Sequence, residues 1–175
     1  MDQIKPLLKD YQALVKRVDV HIAGIQKIFP DRIACKKGCD RCCRSLTLFP
    51  VEAFSLSYAH GRLPEDIKAK IGLNLEKAGC PLLIDRECVL YPFRPIICRT
   101  HGYPIYMEKR GRRLIDFCPD NFKDVASFPK ETLLHLDQLN TLLTAINRQF
   151  IGAIETDPPL LDRIPISEAI FILSH

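Results

Sequence analysis

Apolar residues recur at three-and-four spacing from the start of the chain, at Ile4, Leu7, Leu8, Tyr11, Leu14, Val15, Val18, Ile22, Ile25 and Phe29. That period is the mark of an amphipathic helix, here ended by Pro30 and holding Pro6 in its first turn. A second stripe runs through Leu133, Leu136, Leu139, Leu143, Ile146 and Phe150, and predicts a helix opened near Pro129 and ended near Gly152. The two helices are expected to pack on each other and on the segment between them; a leucine stripe used to bind a partner is the less common alternative.

Between the stripes, "PVEAFSLSYA" from Pro50 and "PEDIKAKIGLNLEKAG" from Pro64 each start with proline at a favourable first-turn position, and the latter ends at Gly79. Both predict helices. The stretch "YPIYMEKRGRRLIDF" alternates apolar and polar residues on either side of Lys109 to Arg112, which predicts a β-hairpin with Gly111 in its turn. The tail "PISEAIFILSH" predicts a last short helix capped by Ser167. The expected fold class is therefore mainly α, an α+β chain with a small β-hairpin, whose helices flank a central region that is rich in cysteine.

Composition narrows this picture. A chain of 175 residues with 47% hydrophobic and 26% charged residues can bury a core without crosslinks, and a single domain over residues 1–175 is expected. The charged start "MDQIKPLLKDYQ" does not read as a secretory signal, and no stretch of 18 uncharged apolar residues offers a membrane span, so a cytoplasmic protein without a membrane partner is expected.

Eight cysteines change the question from fold to chemistry. They occupy positions 35 to 118, so a cysteine-cluster core over residues 35–119 lies between helical arms at 1–34 and 120–175. In a reducing compartment such clustering points to metal or redox chemistry rather than to disulfides. The formal charge of +4 hints only weakly at an anionic partner. Eight thiolates holding two divalent ions would bring a net charge of minus four and cancel it, so global charge gives no support for nucleic acid as a partner.

Four of the thiols fall within "CKKGCDRCC": Cys35, Cys39, Cys42 and Cys43. Thiolates are soft anionic ligands that must converge at about 2.3 Å from a metal, and gaps of two or three residues let one turn of chain supply several. Neighbouring side chains diverge, by about 100° in a helix and to opposite faces in a strand. Cys42 and Cys43 therefore suit two different metals, or one ligates while the other packs. Cys80, Cys88, Cys98 and Cys118 complete the set and can return to the cluster through loops whose closure entropy rises slowly with length. Cys80 and Cys118 are each followed by proline, which fixes the next backbone angle.

Cations flank the thiols: Lys36, Lys37, Arg41 and Arg44 beside the first cluster, Arg86, Arg94 and Arg99 beside the second. They favour thiolate over thiol, or are simply solvated. Arg94 and Arg99 are expected to donate to thiolates or to backbone carbonyls around the turn that carries Cys98. His101 is a possible nitrogen ligand, although a hydrogen bond near the site is the commoner role; His21, His60, His135 and His175 stand apart as structural or surface residues. The basic "KRGRR" at 109–113 reads as a solvated hairpin tip. No nucleophile elbow, phosphate loop, dinucleotide fingerprint or H-E-x-x-H is present, and no catalytic residue is nominated.

The spacing C-x3-C-x2-C also occurs in radical S-adenosylmethionine enzymes, but their barrel of alternating strands and helices finds no counterpart in this pattern. The blocks "CKKGCDRCC", "CPLL", "CVLYPFRPIICRTH" and "CP", in that order, resemble the YkgJ-type cysteine-cluster family of zinc- or iron-chelating CxxCxxCC proteins. The resemblance spans Cys35 to Pro119 and departs from the family's short name in its first gap, three residues instead of two. It implies a small cytosolic metal-binding domain, with zinc or an iron–sulfur cluster as cofactor. A related cluster in flagellin lysine methylases implies an alternative: an iron–sulfur-dependent enzyme or accessory factor in protein or tRNA modification. A thiol-redox sensor is a third reading.

Overall fold

The computed structural model describes residues 4–35, 38–154 and 162–173. Lys36, Lys37 and His175, and the end of the expected tail helix, lie outside them. The elements in chain order are helices α1 (Ile4–Leu7) and α2 (Lys9–Ile28), strand β1 (Thr47–Leu48), helices α3 (Pro50–His60) and α4 (Glu65–Asn74), strands β2 (Leu83–Ile84) and β3 (Glu87–Cys88), helix α5 (Ile96–Thr100), strands β4 (Ile105–Lys109), β5 (Arg112–Asp116) and β6 (Leu134–His135), helix α6 (Leu136–Gly152), strand β7 (Ile164–Pro165) and helix α7 (Ile166–Ala169). Among the described residues helix dominates, as the sequence pattern predicts, and strand is confined to three small sheets. Among the described residues no helix is long and apolar enough to cross a membrane.

Most of the first apolar stripe is buried: Ile4, Leu8, Tyr11, Leu14, Val18, Ile22 and Ile25 enter one core with Val51, Phe54, Ile96, Leu143 and Phe150, Val15 and Phe29 pack at its edge, and Leu7 is exposed. Its helix is interrupted once, at Leu8, whose N–H bonds the Lys5 carbonyl at 3.3 Å. The arm helices do meet, since α2 and α6 contribute to this same core. A second core gathers Leu48, Ala53, Leu56, Ala59, Ile71, Leu82, Leu90, Ile164, Ile166, Ala169 and Ile170. Helix α3 feeds both cores, which explains why it is apolar nearly all round and buried on every face.

Buried polar groups close the start of α3. Asn147 on α6 accepts the Val51 N–H at 3.1 Å, and Glu52 accepts the Phe49 N–H at 3.2 Å. The other carboxylate oxygen of Glu52 accepts the Ile96 N–H at 3.0 Å and so caps α5 as well. These bonds supply partners that the first turn of a helix cannot find within itself.

Three expectations are corrected. The second stripe does not begin a helix near Pro129: after a 3-10 turn at Lys130–Thr132 the chain forms β6, which pairs in parallel with β4, and α6 starts only at Leu136. The sheet interrupts the helical period here because the Leu134 N–H is taken by the Pro104 carbonyl at 2.8 Å. Helix α4 stops at Asn74, five residues before Gly79, where the Asn74 amide turns to the carbonyls of Leu83 and Pro81. Ser167 lies inside α7, and the preceding cap position is Pro165.

The expected hairpin is β4–β5, with Arg110 and Gly111 both at positive φ in the turn, as a two-residue connection of primed type requires. Lys109, Arg110, Arg112 and Arg113 are exposed at its tip. A smaller hairpin, β2–β3, turns on Asp85 and Arg86, again both at positive φ, and pairs Leu83 with Cys88.

Candidate metal centre

All eight cysteines are free thiols. Seven of them, Cys35, Cys39, Cys42, Cys43, Cys80, Cys88 and Cys98, line one cavity of about 900 Å³. Cys118 is absent from that lining but adjacent to it. A side chain built on Gly102 would sit 3.3 Å from the Cys35 sulfur and 3.4 Å from Cys118 Cβ, so the two cysteines flank the same bare Cα. Among the described residues no three histidine, cysteine, aspartate or glutamate side chains stand close enough, as placed, to hold a metal ion. The thiols thus share the wall of one cavity without converging on a single point.

The first four thiols come from irregular chain. Residues 38–46 hold no helix, and only short-range bonds such as Cys43 N–H to the Asp40 carbonyl (2.9 Å) shape their turns. What fixes this stretch comes from elsewhere. Asn121, buried, accepts the Ala34 N–H at 2.8 Å and donates to the Cys35 sulfur at 3.2 Å and to the Gly102 carbonyl at 2.8 Å. Gly102 has φ +91°, and a Cβ there would also press on Asn121 at 3.1 Å, so both conformation and space call for glycine. Two ion pairs tie the cluster to separate segments of the chain. Arg86, in the β2–β3 turn, holds Asp40 through two bonds of 3.0 and 3.3 Å, while Arg41 pairs with Asp120 beside Cys118.

The other thiols sit on regular elements. Cys80 and Cys88 flank the β2–β3 hairpin, the Leu83 N–H bonding the Cys80 carbonyl at 3.1 Å. Burial raises the thiols of Cys80 and Cys88, and the backbone N–H groups of Leu82 and Leu90, two residues after each, oppose this. Cys98 rides on α5, whose start is capped by Glu52 and whose flank is clamped by arginines. Arg94 stacks on Tyr91 and donates to the carbonyls of Tyr91 (3.1 Å) and Cys98 (3.4 Å). Arg99, buried, bonds both carboxylate oxygens of Asp19 at 2.8 Å, the Arg94 carbonyl at 2.6 Å and the Pro92 carbonyl. Of the two roles expected for Arg94 and Arg99, the carbonyl one is observed.

Electrostatics record which thiols are neighbours. Burial raises the Cys35 thiol, the Asn121 hydrogen bond opposes this, and charges on Cys39, Cys118 and Cys42 raise it further. Burial pushes Cys43 up to about 12, with Cys42, Cys80 and Cys88 adding to it. Burial likewise pushes Cys98 up to about 12, helped by Cys80 and Cys88. In the metal-free chain the thiols of Cys43 and Cys98 are therefore protonated at neutral pH.

Sequence reasoning named every thiol and the arginines beside them, but not the acidic and amide side chains that these thiols and arginines meet. Asp40 stands inside "CKKGCDRCC" and Asp120 and Asn121 directly follow Cys118-Pro119, so proximity to the motifs was the available signal. Glu52 and Asp19 lie far along the chain and offered none. His101 borders the cavity, exposed, at the end of α5. His60 is buried edge-on to Phe171 at 5.3 Å, and His135 lies against Tyr106 at 5.1 Å, so these two pack rather than approach the thiols.

A cavity walled by free thiols and lined by guanidinium groups offers soft, thiol-based donors. Residues 34–119 match the family model CxxCxxCC, described as "Putative zinc- or iron-chelating domain". No curated protein and no solved structure matches it.

Proposed function

We infer that this protein chelates metal, and that Cys35, Cys39, Cys42, Cys43, Cys80, Cys88, Cys98 and Cys118 are the ligands of zinc or an iron–sulfur cluster. The observation that supports this most is the gathering of seven free thiols, from four separate stretches of chain, on one cavity. Both candidate centres suit thiolate donors. When bound, zinc would act as an internal crosslink and a cluster would carry electrons. The residues around the thiols fit either: amides face Cys80 and Cys88, Asn121 donates to Cys35, and arginines hold the backbone of the Cys98 helix. Binding to such sites contributes folding free energy, on the order of ten kcal/mol for small zinc domains.

Metal analysis of the anaerobically purified chain tests the reading. Zinc in colourless protein, or iron with matching sulfide and broad visible absorption, is the expected result and separates the two centres. Folded, metal-free protein with no affinity for zinc or iron would overturn it.

A second reading, a metal-dependent enzyme or accessory factor in protein or tRNA modification, rests on cavity size. About 900 Å³ lies within the range of small-molecule sites. S-adenosylmethionine or nucleic acid retained through gentle purification would favour it, and their consistent absence would count against it.

A further inference from the structure

We propose that the β4–β5 hairpin docks on double-stranded DNA, entering the major groove tip first and holding phosphates on both walls with Lys109, Arg110, Arg112 and Arg113. The proposal goes beyond metal chelation and does not depend on it.

The ribbon stands clear of the body. Strand β6 flanks β4 only at Ile105 and Tyr106, so from Met107 onward β4 and β5 have no strand partner but each other among the described residues. Every residue from Glu108 to Asp116 is exposed. At the usual rise of a strand the tip reaches roughly 10 Å past the end of β6.

The tip also lacks counter-charge. Lys109, Arg110, Arg112 and Arg113 form no ion pair with the described residues, whereas Arg41, Arg86 and Arg99 each hold an aspartate. The nearest carboxylate along the ribbon, Glu108, stands opposite Arg113 and faces four cations alone.

Register decides which partner this suits. Paired residues share a face and successive residues alternate, so Lys109 and Arg112 project from one face, Arg113 from the other, and Arg110 stands in the turn. An acidic strand added along β5 would find Arg112 and Arg113 on opposite faces, and a flat anionic surface would leave one face unused. A groove of DNA has phosphates on both walls, and its major groove, about 12 Å wide, admits a two-stranded ribbon. The A-form major groove of duplex RNA is too narrow. Three of the four cations are arginines, whose planar forks match phosphate oxygens. Contacts to phosphate position a protein without reading bases, so the docking is independent of sequence. The ribbon and the candidate metal centre share one stretch of chain, since β4 starts two residues after Tyr103, which lines the cavity, and β5 ends two residues before Cys118.

The test is binding of the full chain, as purified, to a short labelled DNA duplex of mixed sequence across a range of salt, with metal content read on the same samples. Engaging four phosphates should give a slope of log affinity against log salt of about −3.6. The double variant Arg112→Gln with Arg113→Gln should make that slope shallower by about 2 and weaken binding about tenfold or more, with the unfolding midpoint unchanged. Lys16→Gln with Arg17→Gln, exposed on α2, should leave binding as it was. Absence of duplex binding at low salt, an unchanged slope in the tip variant, or equal loss through the α2 variant would overturn the proposal. So would tighter binding to single-stranded DNA, duplex RNA, polyglutamate or anionic vesicles. Each of these outcomes leaves the metal content, and with it the chelating reading, unaffected.

Discussion

The two thiol-bearing regions are built by opposite means. Cys80, Cys88 and Cys98 stand on a hairpin and a helix, all half-buried, with amides, a capped helix start and a buried arginine behind them. Cys39 and Cys42 are exposed on chain that forms no regular element and is held by side chains of distant segments. The hairpin side spends backbone hydrogen bonds on its own scaffold. The loop side has few to spend, and its order depends on what it ties to. The contrast teaches that one motif can join a half built on its own backbone to a half held by distant side chains.

Breaking the prebuilt half should have the largest effect. Replacing Arg99 with alanine removes four bonds and leaves the carbonyls of Pro92 and Arg94 without donors, so the metal-free chain should lose about 3 kcal/mol in urea unfolding. An unchanged midpoint would show that α5 is held by apolar packing alone.

Next comes the loop half. Zinc at a hundredfold excess over its dissociation constant stabilises the bound state by about 2.7 kcal/mol, so amide exchange in residues 38–46 should slow by roughly 100-fold where opening releases the ion. Residues 80–98 should change less. Equal slowing in both regions would erase the contrast.

Asn121→Ala cuts three hydrogen bonds, and a cost of about 1–2 kcal/mol is expected, together with faster alkylation of Cys35 relative to Cys98. A uniform change at both thiols would mean that Asn121 supports the fold without orienting Cys35.

The subtlest prediction concerns protons. The thiols of Cys43 and Cys98 titrate at about 12 in the metal-free chain, above the ordinary 9.0, so at neutral pH each must lose a proton to ligate. Because the metal takes the deprotonated form, apparent zinc affinity should rise with pH up to that range. Calorimetry in buffers of different ionisation enthalpy should count at least these two protons released, and a count near zero would contradict it.

Much of this was legible in the sequence. The stripes of Ile4 to Phe29 and of Leu133 to Phe150 announced both long helices, the second only from Leu136 onward, because burial of one face enforces the period. Four cysteine blocks gave the candidate ligands because thiols at such spacing have few other uses in a reducing compartment. Strand β6 was not legible: two residues carry no period, and its partner β4 lies about thirty residues earlier. Nor were the Asp40–Arg86 and Arg41–Asp120 ties, since charges beside thiols read equally well as solvated, and only a fold says which distant charge stands opposite.

Glu52 closes the starts of α3 and α5 with the two oxygens of a single carboxylate. Its reach therefore acts as a ruler between the central helix and the helix bearing Cys98. Aspartate, shorter by one methylene, keeps the charge yet would serve one amide and forsake the other, so at this position length matters more than acidity.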